Sequence, residues 1–297
     1  MRMQVVIKFQ ECYIITIKCC GNNPVRLSIA FFLLLFSQIS LAKGLLVSTH
    51  PLLLIAQEVT QGIEKPDLLL TPQQTGHDVQ LTPKAHQLIQ NADLVIWLGQ
   101  AHEAPLKQAL KNKNNAIALL DSSIIKVLPK RDIKGEPIVD TQDTHVWLEP
   151  HNAVRIAFFI AALRSQQYPE YKAQYWQNAQ NFSKKLYDAA RVGQNLNEQS
   201  YWAYHDAYQY LERALNLKFA GALSPDHDLA PSAAQIHYLK QNRPEDKMCL
   251  LTEYHADQAF VNMLKPLKNI SVDEAMSNQT NFIDAWLQLA HAIKQCK

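Results

Sequence analysis

The chain has no cluster of basic residues, no apolar run long enough to cross a bilayer and only five cysteines in 297 residues, and each shortage removes a class of function. Lys and Arg number 29 against 27 Asp and Glu. The first 42 residues hold Arg2, Lys8, Lys18 and Arg26 against Glu11 alone, so the remainder carries 25 basic and 26 acidic residues, a net charge of −1. A near-balance without a basic face gives a polyanion nothing to hold and speaks against a nucleic-acid partner. The apolar stretch Ser28–Phe36 is about half the roughly 20 residues of a membrane-spanning helix, and Ser37 and Gln38 interrupt it. Arg26 precedes it and Ser40-Leu41-Ala42 follows. Residues 1–42 therefore read as a cleavable export signal, with a mature, periplasmic chain starting at Lys43. No small-residue box precedes a cysteine there, which speaks against a lipid anchor.

Three of the cysteines, Cys12, Cys19 and Cys20, lie in the removable segment, leaving Cys249 and Cys296. In an oxidising compartment the two most simply pair, worth roughly 4 kcal/mol on the chain-entropy account. A thiolate metal site is the other reading, with no second cysteine near either one in sequence to support it.

With 47% hydrophobic residues, a chain of this length can bury a real core, and it suits two lobes. Strands are expected at Leu45–Ser48, Asp67–Leu70, Asp93–Leu98 and Ala116–Leu120, with helices at Pro51–Val59, Pro83–Gln90 and Glu103–Lys111 between them. Unbroken apolar strands alternating with helices predict a parallel sheet covered on both faces. From Asp121 to Asp143 the pattern lapses into a polar loop, functional or mobile by its length. After Pro150 the chain turns helical. From Tyr168 onward Tyr168, Tyr171, Tyr175, Ala179, Phe182, Leu186 and Ala189 recur at steps of three or four, predicting one long helix that connects two lobes. A second β-α series follows, with strands at Tyr201–Tyr204, Leu217–Ala220, Met248–Leu251 and Ile270–Val272. The expected organisation is an α/β fold: an N-terminal lobe over 43–166, a connecting helix over 167–197 and a C-terminal lobe over 198–297.

Three of the 11 histidines, His77, His145 and His205, fall where an expected strand gives way to a loop or helix. In open α/β sheets ligands sit beyond the carboxyl ends of strands, so His205, Glu253 and Asp273 can converge there with the first lobe's His77 and His145. Three imidazoles and one oxygen donor make the tetrahedral shell that zinc accepts. The same set with an open fourth position could activate water, so a zinc hydrolase or lyase is an alternative. His50, at a strand end beside Pro51, is ambiguous, and the reading preferred for it is a solvated residue or a backbone hydrogen-bond partner and not a ligand.

The stretches Gly76-His77, His145-Val146-Trp147-Leu148-Glu149-Pro150, His205-Asp206-Ala207-Tyr208, Cys249 to Glu253 and Val272-Asp273 stand in the order found in the metal-binding solute-binding proteins of bacterial ABC importers. The chain resembles that cluster, which holds zinc-uptake, manganese-binding and adhesin-type members, over nearly all of the mature sequence. It is particularly similar to the periplasmic zinc-uptake type, paired cysteines included. The resemblance implies two α/β lobes bridged by a long helix, with Zn²⁺ as cargo between them. It implies His77, His145 and His205 as ligands, and a non-catalytic monomer that delivers to an inner-membrane permease and its ATPase. Asp273 stands where manganese members supply a carboxylate, with water the alternative fourth ligand, and Glu253 is expected to orient a ligand. Three imidazoles favour zinc over manganese, whose members place Glu where this chain has His205; a manganese-specific protein of the family is the nearer alternative. Two departures stand out. The segment Asp121–Thr144 contains no histidine, although zinc members often carry a histidine-rich loop there. Gly76 replaces the usual proline before the first ligand.

Overall fold

The computed structural model describes residues 44–71, 81–191, 197–226, 229–253 and 256–296. Residues 1–42, expected to be an export signal, and His77 lie outside them. Eight strands form two four-stranded parallel sheets among the described residues. The first contains β1 (Leu45–Val47), β2 (Asp67–Leu68), β3 (Leu94–Trp97) and β4 (Ala116–Ala118), in the order β2-β1-β3-β4. The second contains β5 (Gln199–His205), β6 (Leu217–Ser224), β7 (Met248–Thr252) and β8 (Leu267–Ser271), in the order β6-β5-β7-β8. The helices are α1 (His50–Thr60), α2 (Pro83–Asn91), α3 (Leu106–Leu110), α4 (Pro150–Gln167), α5 (Lys172–Ala190), α6 (Glu212–Leu215), α7 (Ala233–Gln241), α8 (Gln258–Met263) and α9 (Phe282–Lys294). None is long and apolar enough to cross a membrane.

The strands are apolar without a break because both of their faces are covered, and the two-residue alternation of a strand decides which cover each residue meets. Leu45 and Val47 of β1, Leu94 and Ile96 of β3, Tyr201 and Ala203 of β5, and Cys249 and Leu251 of β7 all join one continuous core. That core is filled by α1, α4, α5 and α9. The intervening residues face outward into two smaller clusters. Leu46, Val95 and Trp97 meet α2 and α3, and Trp202, Met248 and Leu250 meet Leu239 of α7 and Val261 of α8. The two sheets thus share a central helical layer.

Helix α5 shows why that layer forms. Tyr175, Ala179, Phe182, Leu186 and Ala189 recur at three- and four-residue steps and are all buried, while Lys184, Lys185 and Asp188 take the other face. Burying a side chain the size of Phe182 contributes about 1.5–3 kcal/mol. The helix begins at Lys172, later than the Tyr168 start expected from the apolar spacing. Tyr168, at φ −134°, ends α4 before Pro169, and a 3-10 turn over Pro169–Tyr171 intervenes. Helix α3 is also shorter than expected, because Glu103 is not its first turn. Its carboxylate is buried beyond the ends of β1 and β3, accepting the N–H groups of Leu98 at 2.9 Å and Gly99 at 3.1 Å. After β5 the chain makes a 3-10 turn, Gln209–Leu211, followed by the single turn of α6.

The polar segment after β4 is strapped down. An antiparallel bridge between Arg131 and Pro137 closes a small hairpin, in which Asp132 Oδ1 accepts the N–H groups of Lys134 and Glu136 at 2.8 and 2.9 Å. The hairpin lies on the second sheet. A Cβ at Gly221 would stand 3.0 Å from the Ile133 carbonyl oxygen and 2.5 Å from the Leu239 side chain, so only glycine admits this approach. Arg131 donates to both carboxylate oxygens of Asp206, at 2.6 and 2.9 Å, and to Glu212 at 2.7 Å. Its guanidinium also stacks 4.0 Å over Phe219. Cys249 and Cys296 are joined as a disulfide that ties β7 to the end of α9.

Candidate metal centre

In each sheet the chain order reverses between two central strands, and a crevice opens beyond their carboxyl ends. In the second sheet those strands are β5 and β7. His205 closes β5, and Glu253 directly follows β7. The Glu253 carboxylate pairs with His205 Nδ1. Because a carboxylate accepts, that nitrogen carries the proton of the pair. His145 arrives from the strap and is prepared in the same way. Its Nδ1 donates to Asp143 Oδ1 at 2.8 Å, and its backbone N–H donates to the same oxygen at 3.1 Å.

The two imidazole rings lie 5.5 Å apart, centroid to centroid. Two rings sharing one tetrahedral zinc through Nε2, with Zn–N bonds of about 2.0–2.1 Å, would stand roughly 5 Å apart. Of the four residues expected to meet a metal, the structure therefore brings His145 and His205 together, and His77 lies outside the described residues. Among the described residues no group of three His, Cys, Asp or Glu is assembled to hold an ion.

The fourth residue, Asp273, is engaged within its own turn. Both of its carboxylate oxygens accept the Ser277 hydroxyl at 3.0 Å, and Oδ2 accepts the Asn278 N–H at 3.2 Å. The neighbouring Glu274 has the closer electrostatic tie to the imidazoles. Burial raises its pKa, and the carboxylate of Glu253 adds to this, while His205 and His145 pull the other way. Burial alone would lower the pKa of His205, but the hydrogen bond it donates to Glu253 and the charges of Glu274, Glu253 and Asp206 hold it above the ordinary histidine value. Tyr208 is fully buried with its ring centroid 6.4 Å from His205; burial and the nearby carboxylates, Glu274 first, drive its pKa well up.

Other residues set this geometry. The Trp147 ring packs 5.6 Å from His145, and its Nε1–H donates to the Glu274 carbonyl at 2.8 Å. His50 donates from Nε2 to the Gln279 carbonyl at 2.8 Å, which resolves the ambiguity of its strand-end position in favour of a structural contact. Both bonds run from the first half of the chain to the loop after β8. Sequence reasoning did not find Glu274 or Asp143 in these roles. The signals were thin: an acidic residue beside the expected one, and an Asp two positions before a histidine.

The parallel strand order, the helices on both faces and a carboxylate-backed histidine pair at a chain reversal define an α/β protein with a candidate ligand crevice beyond its strand ends. Solved structures show the same fold. One, from the AdcAII protein of Streptococcus pneumoniae, superposes with a TM-score of 0.70 at 16% identity over 86% of this chain and 99% of that one. Another, described as ZnuA, gives 0.69 at 18% identity over 86% and 99%. A high-affinity zinc uptake system protein, ZnuA, of Haemophilus ducreyi is 29% identical over 256 residues, covering 77% of this chain and 83% of that protein. The sequence profile of the family described as ZnuA, zinc-uptake complex component A periplasmic, matches residues 45–296, and the chain belongs to that family. Members of the family bind solute and are not enzymes.

Proposed function

We propose that the mature chain captures Zn²⁺ in the periplasm and hands it, as a monomer, to an inner-membrane ABC permease whose ATPase drives import. The observation that carries this reading is the pair His145 and His205, 5.5 Å apart, each with a carboxylate on Nδ1. His77 supplies the third imidazole. An oxygen supplies the fourth position: Asp273, whose carboxylate also accepts from Ser277 and Asn278, or Glu274 beside it. Three imidazoles and one carboxylate fill a tetrahedral shell and leave no open position for a reacting water, which favours a carrier over a hydrolase. Residues 167–197 serve as the rigid connector between a lobe over 43–166 and a lobe over 198–297, and residues 1–42 as the export signal. The zinc relatives named above support the choice of cargo.

His145→Ala removes one of the two prepared nitrogens. It lowers the zinc affinity of the purified mature protein by orders of magnitude and leaves its circular dichroism unchanged. A zinc titration indistinguishable from that of the parent refutes the site.

A further inference from the structure

Away from the histidine pair, two adjoining concavities form one trough between the start of α4, the end of α5 and the residues around α6. Their volumes are about 550 and 420 Å³, and both are lined by Glu149, His151 and Arg213. Lys126 and Arg155 line the first and Arg191 the second. The lining therefore carries four fixed positive charges against one carboxylate, in a mature chain whose 25 basic and 26 acidic residues otherwise nearly cancel. The one carboxylate is committed. Glu149 accepts the Asn152 N–H at 3.0 Å as the cap of α4 and takes Arg213 at 2.8 Å through its other oxygen. Asp188, outside the lining, offsets only Arg191, at 3.3 Å. Lys126, Arg155, Arg191 and Arg213 are all exposed.

We propose that this trough is a docking surface for a carboxylate-rich peptide segment of the membrane partner that receives the zinc. The inference rests on the delivery reading above and adds to it a place and a chemistry. The family is described as one component of a complex, so a protein surface must meet the chain somewhere. Guanidinium groups match carboxylates in charge and in bidentate geometry. The concave, elongated form admits several consecutive residues of an extended segment, whereas a flat bilayer would reach only its rim. The trough also connects to the site. Gln209 and Tyr210 line it, and both donate to Asp143, Gln209 to Oδ2 at 3.1 Å and Tyr210 to the carbonyl at 2.9 Å. Asp143 in turn holds His145. An occupant of the trough thus stands behind the carboxylate that orients one of the two histidines.

The test is the double variant Arg155→Glu/Arg213→Glu, which alters exposed side chains outside the histidine site. Labelled hexaglutamate is titrated against zinc-loaded parent and variant at about 0.01 M ionic strength, where the Debye length is about 30 Å. Phosphatidylglycerol vesicles are tested alongside. The parent is expected to bind the peptide and the variant to bind it at least about tenfold more weakly. In the native host lacking the chain, the variant is expected to fail in restoring growth under zinc chelation, although its zinc titration equals that of the parent. Equal peptide binding by the two proteins overturns the proposal. So does full restoration of growth by the variant, or binding to vesicles without binding to the peptide. Failure of the parent itself to titrate zinc strikes the proposed function, whereas the peptide comparison bears on the trough alone.

Discussion

Replacing Arg131 by Met isolates what anchors the strap. The side chain is 9% exposed, the Asp206 carboxylate 4% and the Glu212 carboxylate 26%. Methionine keeps much of the volume and the contact with Phe219, but it leaves Asp206 as a buried, uncompensated charge. Removing one partner of such a pair costs about 3–5 kcal/mol. The contact to the more exposed Glu212 is screened by solvent and adds little. The cation–π contact over Phe219, at 4.0 Å, contributes up to about 1 kcal/mol more. A loss of about 4 kcal/mol in a domain of this size lowers Tm by about 8–16 °C. Urea and thermal unfolding followed by circular dichroism measure it. The control is Arg131→Met with Asp206→Asn and Glu212→Gln, which leaves no ion without a partner and should recover at least half of the loss. If the single variant loses less than about 1 kcal/mol, or if the neutralised triple variant is no better than the single one, the reasoning from a buried uncompensated charge is wrong.

Asp143→Ala removes the acceptor that fixes the His145 tautomer and should weaken zinc binding by about 10–100-fold with the fold intact, as isothermal titration would show. Burial raises the pKa of Glu103 from 4.5 to about 7, so the folded protein holds this proton more tightly than the unfolded chain does. Its contribution to stability is fully present below about pH 4.5 and is lost as pH rises to about 7, a change of about 3 kcal/mol; Glu103→Gln should flatten that part of the stability curve, and parallel curves for parent and variant would exclude the effect. Cys249→Ser/Cys296→Ser opens a link spanning 47 residues and should cost about 4 kcal/mol in urea unfolding, while zinc affinity stays at the parental value.

The strands that lie against cover on both faces were legible from sequence, because continuous runs such as Leu94–Trp97 and Met248–Thr252 have no other stable place in a folded chain. Their order in the sheets was not, since local pattern does not say which strands pair. Helix starts were misplaced where a side chain turned inward, as at Glu103, or where backbone geometry broke a regular apolar spacing, as at Tyr168. His145 and His205, which the structure brings to 5.5 Å, were singled out in the sequence because each ends or follows an element in a short recognisable context. The groups that prepare them were harder to see. Glu253 was expected to orient a ligand and does contact His205. Asp143 sits in a stretch with no periodicity, and the choice between Asp273 and Glu274 depends on one turn of backbone that Ser277 and Asn278 stabilise. Arg131 looked like one more charge in a polar loop, because its partners lie 75 and 81 residues further along the chain.

The single interior layer shared by the two sheets limits how this polypeptide can be divided. Tyr201 and Cys249 from the second sheet lie in one apolar mass with Leu45 and Val47 from the first, together with Phe182 from α5 and Trp286 from α9. A fragment ending at residue 166 or beginning at residue 198 would carry half of that mass bare into water, so neither piece is a self-sufficient folding unit. Damage to either half is therefore felt by the whole, and the protein should be made, and lost, as one cooperative body.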